Sequence, residues 1–442
     1  MFGECGRCWN WAFRCRSRRI AIGRRCASPV LYSSRDSSLL CAKAGGRKGV
    51  FLCLYSRRLP SSFSPNLLTR SIQEKHRTGA PLLDLTVSNP TEVLPRYPHS
   101  QIAKTYASIQ DLGYHPQPFG LEEARNEIAG LYRDLGVHLS VDQIALTASS
   151  SEAYACLFKL LCDPDDEVLV PVPSYPLFEY LAALDCVRTV PYPLVYDGAW
   201  SIDFAYLRQH LSARSRAIVV VNPNNPTGSL LKTLEAGPLS DIAREHGVAI
   251  ISDEVFADYR FGSDTDSVVT LAGQDSTLAF SLNGLSKMAA MPQMKLGWIV
   301  ISGPARERQA ARDRLELVLD TYLSVSTPVQ AVLHELLEIG AENRRNLKSR
   351  IDANLSTLRT VLADKSVHAL HADGGWSAIL RLPSNWSEEF WIRQLLETEN
   401  VIVQPGYFFD MPSEPYAVIS LITPEGDFEQ GVSRIARLAA RR

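Results

Sequence analysis

Between residues 143 and 302 short apolar runs recur, each followed by sequence that suits a helix, and this alternation constrains the chain more than any other feature. The runs read as strands at 143–147, 167–171, 217–221, 248–252, 277–282 and 296–301, with helices between them at, for example, 151–161 and 239–246. A helix at 121–132 precedes them, because Leu121, Ala124, Ile128 and Leu131 share one face at helical spacing. Runs such as IVVV and VAII are too continuous for a sheet with one wet face, so helices must cover both faces. The expectation is a large α/β domain, residues 101–324, around a mostly parallel sheet. After Gly303 the pattern changes to long amphipathic helices at 304–322 and 329–362, shorter strands at 377–382, 401–404 and 417–421, and a last helix at 427–439. These predict a smaller α+β domain over 325–442. The arm at 55–100, with a short strand and Pro-terminated turn at 81–90, is expected to complete it.

Composition matters at the N-terminus. Residues 1–70 hold 14 Lys and Arg against two acids, Glu4 and Asp36, whereas the other 372 residues hold 32 basic and 46 acidic side chains. Cys5, Cys8, Cys15, Cys26, Cys41 and Cys53 crowd the same start. Three readings fit: an organelle transit peptide, a nucleic-acid-binding arm, or sequence upstream of the true start. The segment has no apolar period that could pack and no helix-turn-helix spacing. The Cys5–Cys8 pair lacks a second pair at zinc-site spacing. Residues 1–54 are therefore expected to be a basic, disordered extension outside the fold, and neither nucleic acid, membrane nor metal is an expected partner. Cys156, Cys162 and Cys186 read as filler of helix and strand, give no disulfide framework and suit a reducing compartment, with the cytoplasm as the expected location. No apolar run approaches the roughly 18 residues that span a bilayer.

Open α/β sheets bind ligands beyond the carboxyl ends of their strands, and five such ends carry chemistry here. Thr147 to Glu152 runs from a strand into a helix, where small residues, unpaired N–H groups and the hydroxyls of Ser150 and Ser151 suit a phosphate; a simple serine cap is the plainer alternative. Tyr175, between Pro173 and Pro176, is either a rigid plate for a planar ring or a surface aromatic. Asn225, in the turn-rich stretch 222–228, has an amide that can donate to a phenolate oxygen. Asp253 ends an apolar strand, where a carboxylate needs a cation or donor such as a protonated pyridine nitrogen, unless it only caps a helix. Lys287 ends another, where desolvation lowers an amine pKa and makes a nucleophile towards an aldehyde, unless it is a solvated turn lysine; Lys295, eight residues on, offers a point charge.

In their order, the SNP turn, the small-residue loop, PSYP, NPNNPTG, SDE, GLSK and a basic residue before Gly-Trp resemble the class I/II aminotransferase family of fold-type I enzymes that use pyridoxal 5′-phosphate (PLP). The resemblance is close over about residues 80–300 and looser beyond. It implies that Lys287 forms a Schiff base with PLP and shuttles the substrate proton, and that Asp253 pairs with the pyridine nitrogen. It implies further that Asn225 donates to the 3′-oxygen, that Tyr175 stacks on the ring opposite Val255, and that Ser150, Ser151 and Lys295 hold the phosphate. Tyr114, six residues before Gly120, resembles a tyrosine that reaches the phosphate from a neighbouring subunit, which implies a homodimer. The implied activity is transfer of an amino group between an amino acid and a 2-oxo acid. A β-eliminating carbon–sulfur lyase and a non-catalytic regulator are the alternatives. Three positions depart from the family pattern. Phe256 replaces a tyrosine that donates to the 3′-oxygen, and Lys295 replaces a bidentate arginine. Val418 stands where an arginine forks the substrate carboxylate, leaving Arg58 and Arg381 as candidate cations.

Overall fold

The computed structural model describes residues 55–60, 63–262, 266–411 and 415–441. The readings made for residues 1–54 lie outside them. Internal contacts divide the chain into two units, Met1–Arg70 and Ser71–Arg442. The helix Leu67–Arg77 begins in the first, where Asn66 Oδ1 accepts from Thr69 N at 2.7 Å and satisfies a first-turn donor.

Among the described residues the second unit is organised by fourteen strands: β1 (Leu83–Asp84), β2 (Ile144–Thr147), β3 (Glu167–Val172), β4 (Arg188–Tyr196), β5 (Trp200–Ile202), β6 (Ser215–Val221), β7 (Ala249–Asp253), β8 (Ala279–Gly284), β9 (Gly297–Ser302), β10 (His368–Ala369), β11 (Ser377–Arg381), β12 (Val401–Ile402), β13 (Gln404–Pro405) and β14 (Tyr416–Ser420). Eight form one sheet in the order β2-β9-β8-β7-β6-β3-β4-β5. The run β8-β7-β6-β3-β4 is parallel throughout, while β9 and β5 are antiparallel to their neighbours. The continuous apolar runs are explained by the period of two. In β6, Ala217 and Val219 join a core with the helix Ser150–Leu161, whereas Ile218 and Val220 join the opposite core with the helix Thr233–His246. β9 divides likewise, with Ile299 and Ile301 on one face and Trp298 and Val300 on the other. Each fully buried Val or Ile side chain of this kind contributes about 1.5–3 kcal/mol.

β4 and β5 have no counterpart among the expected runs. Pro191 and Pro193 disguise β4, but Asp203 N bonds to Pro193 O on the side away from β3, so the missing proline donors face a sparsely paired edge. Beyond the sheet, the helix Ala305–Tyr322 matches its expected span. The expected helix at 329–362 instead breaks at Val332, whose φ/ψ of −115°/23° separates Thr327–Ala331 from the 30-residue helix Leu333–Leu362. The expected strand at 401–404 serves two sheets: β12 pairs parallel with β1, and β13 joins the antiparallel sheet β10-β11-β14-β13. The architecture is thus a mostly parallel sheet covered by helices plus a smaller antiparallel-sheet domain. Among the described residues no helix is long and apolar enough to cross a membrane.

Candidate active site

The strand order aligns the carboxyl ends of β2, β3, β6, β7 and β8 along one edge of the sheet. Because β9 runs the other way, its first residue, Gly297, lies on that edge between Thr147 and Gly284. A Cβ on Gly284 would sit 2.8 Å from Gly297 Cα, and one on Gly297 would sit 3.0 Å from Asn283 O, so the close pairing here needs both glycines.

Asp253 is the last residue of β7, with β6 on one side and β8 on the other. Its Oδ2 accepts from Tyr154 Oη at 3.1 Å and its Oδ1 from Val255 N at 3.3 Å. Burial pushes its carboxyl up to about 6, against the opposing pull of those two donors and the nearby charge of Lys287. Glu254 is equally buried but spoken for. Its Oε1 accepts from Ser252 Oγ, Leu271 N and Ser281 Oγ at 2.8, 2.9 and 3.1 Å, and its Oε2 from Thr270 Oγ1 at 2.6 Å. Of these adjacent acids, Asp253 is the one with acceptor capacity left for a ligand.

Lys287 lies in the short helix Leu285–Met288 that follows β8 directly. Its Nζ stands 4.7 Å from the ring centre of Trp376 and 5.7 Å from that of Phe256. Trp376 meets Phe256 and Tyr259 edge-on, with centroids 5.3 and 5.1 Å away, and Tyr259 Oη donates to Lys287 O at 2.8 Å. Trp376 arrives on a strap, residues 371–376, laced to the large sheet's loops. Gly375 N bonds to Tyr259 O, Phe261 N to Asp373 O, and Asp373 N to Gly228 O, at 2.8, 2.8 and 2.9 Å. Gly228 has φ of 67°, and a Cβ there would lie 2.5 Å from Gly374 O. Sequence reasoning missed Trp376; the Gly-Gly pair just before a strand was the available signal.

The helix Ser150–Leu161 is capped by Ser149, whose Oγ accepts from Glu152 N at 3.2 Å. The cap therefore falls one residue before the two serines of interest. The hydroxyls and N–H groups of Ser150 and Ser151 make no hydrogen bonds among the described residues, as expected of a helix N-terminus open to an anion. Lys295, exposed and at φ of 53°, stands two residues before Gly297 on the same edge.

Half-buried Tyr175 follows β3 in a loop fixed by Ser174 N bonding to Phe409 O at 3.2 Å. Asn224 Nδ2 donates to Pro173 O and Thr227 Oγ1, both at 2.8 Å, which ties this loop to the one that carries Asn225. Asn225 Oδ1 accepts from Ser377 Oγ at 3.2 Å, beside Trp376, and its Nδ2 makes no hydrogen bond among the described residues. Lys287, Asp253 and Asn225 thus converge, with the serine-bearing helix joined to them through Tyr154.

Tyr114 stands apart, 75% exposed, on a cleft it shares with Leu319, Leu323 and Gln330. Val418 is 1% exposed, in the middle of β14 between Ile379 and Gln404. Arg381 ends β11, its guanidinium 5.9 Å from the ring centre of Tyr416. Four residues of strand put it about 13 Å from Ser377. Arg58 belongs to the first unit, where its Nε bonds to Ser56 Oγ at 3.0 Å.

Over most of its length the chain is similar to known proteins. Residues 81–435 match the model of the family described as aminotransferase class I and II. Nicotianamine aminotransferase 1 of Oryza sativa subsp. japonica is 27% identical over 344 residues, which cover 75% of this chain and 69% of that protein. A glutamate-pyruvate aminotransferase of Escherichia coli K12 is 28% identical over 261 residues, 59% of this chain and 64% of that one. The fold is shared with alanine aminotransferase from Pyrococcus furiosus (TM-score 0.75, 23% identity, 85% of this chain and 96% of that one). It is shared equally with a single mutant of Thermus thermophilus aspartate aminotransferase (TM-score 0.75, 22% identity, 87% and 99%). The chain belongs to the class I and II aminotransferase family and is an enzyme of amino-group transfer on the fold-type I scaffold.

Proposed function

We propose that the protein is a PLP-dependent transaminase that moves an amino group between an amino acid and a 2-oxo acid, as a cytoplasmic homodimer, with Lys287 as the residue that links to PLP. The observation that carries this reading is the meeting of the Lys287 amine and the buried Asp253 carboxyl on one sheet edge, beside an open helix N-terminus. The family's relatives, named for nicotianamine, glutamate and alanine, support an amino acid as donor.

The residues fit PLP at three points. Asp253 is a desolvated acid with acceptor capacity to spare, which suits a protonated pyridine nitrogen. The unpaired first turn at Ser150 and Ser151, with Lys295 nearby, suits a phosphate. The Asn225 amide suits the ring oxygen, with Tyr175 to stack on the ring from the neighbouring loop. When bound, PLP supplies an aldehyde for amines and a ring that takes up the electron pair released at the substrate α-carbon.

In this reading Asp253 keeps its negative charge facing the ring nitrogen, and Glu254 braces the loop at 270–271 without entering the chemistry. Lys287 Nζ takes the α-proton of the substrate and returns it. The indole of Trp376 and the ring of Phe256 flank that amine on the apolar side of the site. Tyr114, exposed beside the exposed Leu112, serves the phosphate site of a second copy.

The test uses protein loaded with PLP, given single ¹⁵N-labelled amino acids and no 2-oxo acid. One equivalent of the matching 2-oxo acid should appear with the nitrogen kept by the enzyme, then delivered to a second 2-oxo acid added later. Release of pyruvate and free ammonia would assign a lyase instead, and no reaction with any amino acid would remove the enzymatic reading.

A further inference from the structure

Tyr154 is buried in an otherwise apolar core, 2% exposed, among Phe158, Phe178 and Leu157. A hydroxyl there is unfavourable unless it finds a partner. Its one hydrogen bond among the described residues goes to Asp253 Oδ2 at 3.1 Å. The ring has little freedom to leave this bond: Phe178 meets it edge-on at 5.2 Å and 81°, and Phe158 packs at 5.9 Å. Tyr154 lies one turn beyond Ser150 on the helix Ser150–Leu161. A single helix therefore presents its open N-terminus to the anion-binding end of the site and a phenol to the carboxylate at the other end.

We propose that Tyr154 is a positioning residue for this reaction, whose hydroxyl orients the Asp253 carboxylate and keeps it ionised opposite the cofactor's ring nitrogen. The proposal rests on the reading of Asp253 given above. Burial and the neighbouring negative charge hold the Tyr154 phenol well above its ordinary range, so it stays protonated and donates to Asp253. Val255 N serves Oδ1 while Tyr154 serves Oδ2, leaving each carboxylate oxygen one fixed donor and one open lone pair. Without the phenol, the burial that already lifts the Asp253 pKa meets less opposition, and the acid turns neutral at higher pH.

The experiment is Tyr154→Phe, reconstituted with PLP labelled with ¹⁵N in its ring and followed by NMR across pH, with Asp253→Asn and wild type in parallel. Phenylalanine matches the apolar packing; Tyr154→Met removes the same hydroxyl should the first variant not fold. The ring-nitrogen signal should lose its protonated character at a pH about one to two units lower than in wild type. The acid limb of kcat/KM should move up by a similar amount with KM little changed. If Tyr154→Phe keeps the wild-type ¹⁵N profile while Asp253→Asn shifts it, the hydroxyl only satisfies itself and this proposal falls alone. If Asp253→Asn also leaves the signal untouched, the reading of Asp253 falls with it.

Discussion

The indole of Trp376 lies 4.7 Å from the amine of Lys287, although 89 residues separate them and they sit in different sheet systems. The strap at 371–376 carries the smaller sheet's first buried ring to the large sheet's edge, where Phe256 and Tyr259 receive it. Trp376→Ala should therefore cost about 3–5 kcal/mol of stability through the cavity it leaves. Trp376→Phe, which keeps a ring, should cost less and retain more activity. Urea unfolding with a transaminase assay on the same samples checks both.

Lys287→Ala should abolish transamination while leaving the fold intact, because the side chain is half-buried and its backbone carbonyl still receives Tyr259. Borohydride reduction of PLP-loaded wild type should fix the cofactor on the peptide containing Lys287, read by mass spectrometry. A reduced adduct on another lysine in wild type would contradict the assignment.

Gly374 closes the strap. A Cβ there would stand 2.8 Å from Tyr259 O and 2.9 Å from Pro223 Cγ, the first of them backbone. Gly374→Ala should destabilise by about 1–3 kcal/mol and weaken PLP retention by displacing Trp376. A thermal melt and a cofactor titration report the two effects; unchanged retention in a destabilised variant would uncouple the strap from the site.

Two of the buried acids, Asp253 and Glu388, contribute distinct windows to the pH dependence of the cofactor-free protein. Asp253 is lifted by burial from an ordinary 3.8 to about 6, and Glu388 from 4.5 to about 7 despite accepting from Tyr407 N and Tyr416 N at 2.8 Å each. Between the ordinary and lifted values the folded state binds more protons than the unfolded one, so stability is greatest below about pH 4 for these groups and falls as pH rises to about 7. Each lift of two units or more corresponds to on the order of 3 kcal/mol. Unfolding free energies measured from pH 4 to 8 should flatten in Asp253→Asn and in Glu388→Gln, each over its own window. An unchanged slope in either variant would remove that residue from the account.

Much of this was legible locally. Strands β3, β6, β7, β8 and β9 follow from apolar runs, and Asp253, Asn225 and Lys287 stand where such runs meet turn residues or helix starts. Ser150 and Ser151 were legible as a helix start, with the cap itself one residue earlier. β4 was hidden because prolines argue against a strand until one knows which side of it is unpaired. Trp376, signalled only by the Gly-Gly pair before it, and Tyr154, three residues past Ser151, were hidden because each becomes relevant only through a partner brought from far away.

The sequence by itself determined the alternating architecture, the family and the residues at the strand ends, since hydrophobic period and turn chemistry act within a few residues. Only the tertiary structure decided which of two adjacent carboxyls stays open to a ligand. Four donors from β7, β8 and the loop at 270–271 occupy Glu254, while Asp253 meets only a phenol and one backbone N–H. Donors from separate strands and loops converge only when the sheet is assembled, and in a low-dielectric interior that convergence governs the charge a carboxyl carries.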